Sequence, residues 1–196
     1  ICFVNDALSL VWSGTDGEIY HKEKTQTGWG EKYNLSESPD EPSWTPSVNS
    51  YGDLLFCVWE EGEEPEEVYY RMRESGVWNE KENVSQSAAN SILPFFTEGT
   101  FLTWADSLDT GWDIMMRRRN IDGTWEDAEN ISNTPDTTSF YPHLAYTEDA
   151  DAGYIYSVWT EGNQAPYEVR TESWEVPKVT LIFSGLQVFF STFPVS

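Results

Sequence analysis

The sequence predicts an all-β chain made of four repeats of one antiparallel unit, each about 48 residues long. Two tryptophan series recur in a fixed order, and an acidic residue opens a strand between them. After the second tryptophan of the first three units come an Asn-x-Ser triplet and a Ser-x-x-Pro element. Elements returning in the same order define a repeat more firmly than composition does.

The first tryptophan series closes an apolar run: Leu10-Val11-Trp12, Cys57-Val58-Trp59, Leu102-Thr103-Trp104 and Ser157-Val158-Trp159. The second follows a turn: Gly28-Trp29, Gly76-Val77-Trp78, Gly123-Thr124-Trp125 and Ser173-Trp174. Between them Glu18, Glu67, Asp113 and Glu168 each open a strand, and Arg71, Arg117 and Arg170 read as equivalent positions within it. Asn34-Leu35-Ser36, Asn83-Val84-Ser85 and Asn130-Ile131-Ser132 come next, then Ser43 to Pro46, Ser91 to Pro94 and Ser139 to Pro142.

Each unit divides into four short strands. In the second these are Pro46 to Ser50, Leu54 to Trp59, Glu67 to Arg73 and Val77 to Val84. Turn residues separate them: Tyr51-Gly52-Asp53, the acidic stretch Glu60 to Glu66 with Pro65, and Ser75-Gly76. No segment keeps a 3.6-residue period over a helical length. Four-stranded units at this spacing are the mark of a β-propeller, whole or part of a larger ring. The units span approximately 1–42, 43–90, 91–138 and 139–177, leaving a tail at 178–196. A single unit cannot bury both faces, so neighbours must. The eight repeat tryptophans read as that shared core, each worth several kcal/mol at ~25 cal/mol per Å² over roughly 200 Å².

The tail has a different character. From Val179 to Ser196 it carries no charge, and residues 179–190 read as an apolar β-hairpin around Ser184-Gly185. Gly, Pro, Gln and Ser/Thr within it argue against a membrane helix. Exposed, so apolar a hairpin would aggregate, so it is expected to be covered, as extra propeller strands or through self-association. Three arrangements fit the repeat count: a closed four-bladed ring, half of a ring completed by a second copy, or part of a longer protein.

Acidic residues outnumber basic ones 34 to 11, giving a formal charge of −23. That field repels nucleic acid and anionic membranes and favours neutral or cationic ligands. Cys2 and Cys57 sit in apolar runs and read as buried thiols. With two histidines and isolated cysteines, a zinc site is not expected. No phosphate loop or nucleophile elbow is present. The three Asn-x-Ser triplets are also glycosylation sequons, but their recurrence marks them first as repeat structure.

These motifs resemble the sialidase-like propellers with BNR (Asp-box) repeats over residues 1 to about 177. The best match to the Asp-box hairpin is Asn120-Ile121-Asp122-Gly123-Thr124-Trp125, whereas the hairpins at Gly28-Trp29 and Gly76-Val77-Trp78 lack the aspartate. The resemblance implies a propeller fold and an extracellular setting. A sialidase would need three arginines, a Tyr/Glu pair and an acid/base Asp, and no such set can be assembled here.

Propeller ligands usually meet loops entering the innermost strand and loops joining the second and third strands. Here those loops carry Trp44, Phe140 and Tyr141, and the connections Ser13 to Gly17, Glu60 to Glu66, Ala105 to Trp112 and Thr160 to Pro166. Trp44 and Trp112 belong to neither tryptophan series. With Phe140 and Tyr141 they are the candidate ligand-binding residues, since aromatic faces beside carboxylates suit a sugar. Local packing is the plainer role for the same residues. The acids opening the third strands are expected to bond backbone amides in their own blades. Asp149 and Asp151 lie in an acidic turn whose oxygens would suit calcium. No other cofactor is expected, and no catalytic residue is assigned.

The reading that follows is a non-catalytic, secreted or cell-surface propeller that binds carbohydrate or protein. Its alternatives are a sialidase-like glycosidase fragment and a structural module of a surface assembly.

Overall fold

A computed structural model describes residues 1–97, 99–109, 111–120, 122–149 and 151–176, and the backbone of 182–184 and 187–189. Four antiparallel sheets follow one another along the chain. The first contains β1 (Cys2–Val4), β2 (Ala7–Ser13), β3 (Ile19–Thr25), β4 (Gly28–Trp29) and β5 (Tyr33–Asn34). The second contains β6 (Ser43–Tyr51), β7 (Leu54–Glu61), β8 (Glu67–Glu74), β9 (Val77–Trp78) and β10 (Glu82–Asn83). The third contains β11 (Ser91–Thr97), β12 (Phe101–Leu108), β13 (Gly111–Arg118) and β14 (Glu129–Asn130). The fourth contains β15 (Ser139–Glu148), β16 (Gly153–Glu161) and β17 (Glu168–Val176). β18 (Ile182–Ser184) and β19 (Gln187–Phe189) pair as a backbone hairpin. The expected cover of the tail, and any role for it in assembly, lie outside the described residues.

The chain is all-β and its sheets stack in sequence order, as in a propeller. Two details differ from the four-strand expectation. The fourth strand of the first and of the second sheet is two short pieces, β4 and β5 and β9 and β10; between the latter, Asn79 Oδ1 accepts from the Met72 amide at 2.6 Å and the Asn79 amide donates to the Met72 carbonyl at 2.9 Å. The fourth sheet has three strands among the described residues, since no Asn-x-Ser triplet follows Trp174.

The tryptophans set the direction of stacking. Trp59 is fully buried in a cluster with Ile19, Leu35 and Val11 of the preceding sheet. Trp104 lies with Val58, Val68 and Val84, and Trp159 with Ile114 and Ile131. The second series points the same way. Trp78 meets His21 edge-on at 5.2 Å and Trp125 meets Tyr70 at 5.3 Å. Trp174 is not their equivalent: it lies in the third strand β17 opposite Ile155, the register of Arg73, and packs against the cluster of Ile114 and Ile131. The second, third and fourth sheets therefore each insert indoles into the sheet before.

Burial follows from this. β7 and β12 lie between two neighbours and are buried on both faces, hence their near-continuous apolar runs. Among the described residues β16 has a neighbouring sheet on one side, and its residues alternate between buried and more exposed. Cys2 and Cys57 are free thiols in this core, and burial raises the pKa of both.

Replacing Trp104 with Ala should destabilise the protein by about 3–5 kcal/mol, as for other buried large-to-small changes. Trp29, 48% exposed, should cost far less when replaced. Urea denaturation of the two variants, read as midpoints at equal m, checks the difference.

Candidate functional site

The residues that open the third strands form a repeated structural device. The Glu18 carboxylate accepts from the Ser36 hydroxyl and from Ser38 N at 3.0 Å, while Ser36 Oγ accepts from Ile19 N at 2.9 Å. Glu67 is held by the Ser85 hydroxyl and by Ser87 N at 3.2 Å. Asp113 accepts from Ser132 Oγ at 2.9 Å and from Thr134 N and Oγ1 at 3.0 and 2.7 Å. Burial would raise the Asp113 pKa, but bonds from Thr134, Asn130 and Ser132 outweigh it and hold the group below its usual range. The Asn of each triplet locks the same turn: Asn34, Asn83 and Asn130 accept from the amides of Glu37, Gln86 and Asn133. Those three residues take left-handed φ of 49°, 47° and 46°. Glu18, Glu67 and Asp113 with the Asn-x-Ser triplets are thus a clamp closing each of the first three sheets; Glu168 departs from the expectation, since no triplet follows it and it is exposed and pairs with Arg170 at 2.8 Å.

A second device was not read from the sequence. Ser43, Ser91 and Ser139 of the Ser-x-x-Pro elements pair in register with Glu61, Asp106 and Glu161, each two residues beyond a repeat tryptophan. Ser43 Oγ donates to Glu61 at 3.3 Å and Ser91 Oγ to Asp106 at 2.7 Å. Burial pushes the Asp106 pKa up, with the Ser91 and Ser87 hydroxyls opposing. The Trp-x-acid spacing was the available signal. Beyond each serine the strand bulges, and Thr45, Leu93 and Tyr141 take φ of 45°, 57° and 57°. Left-handed backbone at non-glycine residues is uncommon and often found where a side chain is aimed at a ligand.

Three of the four aromatic candidates come together at one such bulge. Trp112 and Phe140 lie 5.3 Å apart, and Phe140 and Tyr141 6.3 Å apart. Trp112 lies inside β13, opposite Ser107, and not in a long loop, because the connection between β12 and β13 is tight. Trp112 and Phe140 also pack against Ile114, Ile131 and Trp159, so their inner faces belong to the core. Tyr141 is 63% exposed and completes the patch on the solvent side. Trp44 lies half-buried on β6 and joins no ring pair among the described residues.

Asp149 accepts from the amides of Asp151 at 2.8 Å and Ala152 at 2.9 Å, which shapes the turn between β15 and β16. Among the described residues no group of three His, Cys, Asp or Glu is gathered as for a metal ion.

The arginines join sheets. Arg71, nearly buried, reaches Glu37 at 3.2 Å, and Arg117 donates to the Val84 carbonyl at 2.8 Å. Arg170 is not their equivalent. It lies opposite Trp159, where Tyr69 and Met115 lie opposite Trp59 and Trp104, and it pairs with Glu161 and Glu168 of its own sheet. The residue in the arginine register of the fourth sheet is Glu172, opposite Ser157.

A groove of about 390 Å³ between the first two sheets is lined by His21, Glu23, Tyr33, Arg73 and Trp78. An Arg73–Glu23 ion pair closes it, and His21 Nε2 bonds to Ser9 Oγ at 2.7 Å. Burial lowers the His21 pKa from 6.5 to about 4.

The chain is therefore an all-β protein of propeller-like sheets with an aromatic patch at one inner-strand bulge. No family model matches it, and no curated protein matches its sequence. Among solved structures it is similar to an endo-arabinase from Bacteroides thetaiotaomicron VPI-5482, with a TM-score of 0.56 and 13% identity over 86% of this chain and 70% of that one. That likeness is one of fold.

His21 gives the protein an acid-sensitive limb. Below pH 6.5 the unfolded chain gains a proton that the folded chain takes up only near pH 4, so stability falls across that window. Melting temperatures between pH 7 and 4.5 should drop more steeply for the parent protein than for His21→Gln.

Proposed function

We propose that the protein is a carbohydrate-binding propeller acting outside the cell, whose ligand lies across Tyr141 and the exposed edges of Phe140 and Trp112. The observation that carries this reading is the patch itself: a bulge with left-handed backbone holds Tyr141 in solvent beside two further rings. Apolar ring faces accept the C–H face of a sugar, and the hydroxyls of a neutral glycan can bond to polar groups around them. A neutral ligand also suits a body of charge −23, to which an anionic glycan would have to come against the field. The endo-arabinase-like fold is consistent with a polysaccharide ligand. The clamps occupy Glu18, Glu67 and Asp113, which removes those acids from catalysis and favours binding over turnover.

A glycan array, run with calcium and again with chelator, tests the reading. Retention of a neutral glycan class is expected, with at least a tenfold loss for Tyr141→Ala, in line with removal of one stacking partner. Retention lost under chelator would assign a part to the Asp149–Asp151 turn. No retention by the folded protein, or binding unchanged in Tyr141→Ala, would overturn the proposal. Turnover of a fluorogenic arabinoside or sialoside would replace it with a glycosidase.

A further inference from the structure

The junction between the first and second sheets and that between the second and third are built to one plan. His21 lies opposite Val11 and Tyr70 opposite Val58, each valine directly before a repeat tryptophan. An indole of the next sheet stands nearly perpendicular to each ring, Trp78 to His21 at 77° and Trp125 to Tyr70 at 89°. An arginine backbone-paired with that indole completes each set, Arg73 with Trp78 and Arg119 with Trp125. Arg73 lies opposite Leu55, and the Arg119 amide donates to the carbonyl of Thr100, the corresponding residue, at 2.6 Å. Both guanidinium groups lie beside a hairpin glycine of left-handed φ. Nη2 is 3.9 Å from the place of a Cβ on Gly76 and 3.1 Å from that of a Cβ on Gly123.

The two junctions differ in what answers these groups. At the first, Ser9 and Glu23 lie opposite one another; the hydroxyl bonds to His21 Nε2 at 2.7 Å and the carboxylate pairs with Arg73. At the second, the same two registers hold Phe56 and Met72. Three buried polar atoms are left there with no hydrogen-bond partner among the described residues: Tyr70 Oη, Arg119 Nε and Trp125 Nε1. Tyr70 is fully buried, and the Arg119 guanidinium lies 5.6 Å over its ring. Burial raises the Tyr70 pKa, so its hydroxyl stays protonated and can donate. The set is thus three donors, one of them cationic, where the first junction supplies a carboxylate. Glu82 lies opposite Tyr70 and Asp122 in the hairpin, but neither forms an ion pair with Arg119 among the described residues. Asp122 instead accepts from Thr124 N and Oγ1 at 3.0 and 2.6 Å.

We propose that the junction of the second and third sheets binds a small carboxylate, which takes the place of the Glu23 side chain among Arg119, Tyr70 and Trp125. Two carboxylate oxygens can accept all three donors, and the charge answers the guanidinium. Phe96, 5.7 Å from Tyr70 and 6.1 Å from Trp125, gives the short apolar end of such a molecule a wall. The field of a body of charge −23 opposes any anion, so the ligand is weakly held and exchanges with solvent. A water molecule would satisfy the donors without answering the charge, and the test separates the two. Arg119 follows the last residue of β13 and Trp112 lies near its first, so this site is independent of the aromatic patch.

Saturation-transfer NMR on the whole chain, with acetate and its neutral isostere acetamide as probes, tests the proposal. Saturation of the aromatic protons should pass to the acetate methyl, and roughly tenfold more weakly to that of acetamide, the loss expected when a charge-assisted bond becomes a neutral one. Arg119→Gln should abolish the transfer. Met72→Glu should also abolish it, by supplying the carboxylate from within as the first junction does, with far-UV circular dichroism unchanged. Tyr141→Ala should leave it intact. No transfer to acetate from the folded protein would overturn the proposal. So would equal transfer to acetamide, the mark of a water site alone, or transfer to acetate that survives Met72→Glu.

Discussion

Each sheet after the first owes its place to an indole lodged in an aliphatic pocket of the sheet before it. Trp59 against Ile19 and Leu35, Trp104 against Val68 and Val84, and Trp159 against Ile114 and Ile131 are one contact made three times. The contact has a direction, and the direction organises the rest. It explains why β7 is apolar on both faces and why β16 is buried on one side only. It also explains why Arg71 and Arg117 turn towards the preceding sheet, where one donates to Glu37 and the other to the Val84 carbonyl. A lone sheet of this type has no second face to bury, so stability is a sum over junctions.

Around that contact two polar clamps recur. In the first three sheets one ties the acid at the start of the third strand to the hydroxyls and amides of the Asn-x-Ser turn. In the second and third the other ties the serine that opens the unit to the acid two residues after its tryptophan. Both place carboxylates where burial would otherwise be costly, and both supply the donors that make it tolerable. Polar residues that look like an active-site inventory in so acidic a chain are therefore largely committed to architecture. The side chains that the bulges turn outward, Tyr141 above all, are left free of these clamps.

Much of this was legible in the sequence, because a repeat repeats its physics. The first tryptophan series, the strand order within a unit and the local role of Glu18, Glu67 and Asp113 follow from comparing one unit with the next, but Trp174 and Glu168 of the fourth unit do not hold the places of their counterparts. Other features escaped for physical reasons. The bulge at Thr45, Leu93 and Tyr141 has no glycine to announce it; the following proline was the visible trace, and a proline fixes its own φ while only biasing the residue before it. The position of Arg170 was misjudged because register is set by pairing, and counting from Glu168 brings Glu172 to the place of Arg71. Trp112 reads as a loop residue because it follows a turn-forming glycine, Gly111, but pairing with Ser107 puts it inside β13. The aromatic patch could be nominated residue by residue, but its assembly from β13 and β15 depends on contacts between sheets that spacing along the chain does not reveal.

The directional indole contact is the claim on which the account stands, and a double-mutant cycle measures it directly. Trp159→Ala and Ile114→Ala, alone and together, should show a coupling of about 1 kcal/mol or more in urea unfolding, whereas Trp159→Ala and Val158→Ala should be nearly additive. Val158 adjoins Trp159 in sequence but points to the opposite face, so proximity along the chain cannot produce this pattern. Additivity in the first pair, or stronger coupling in the second, would contradict the direction of packing and the architecture built on it.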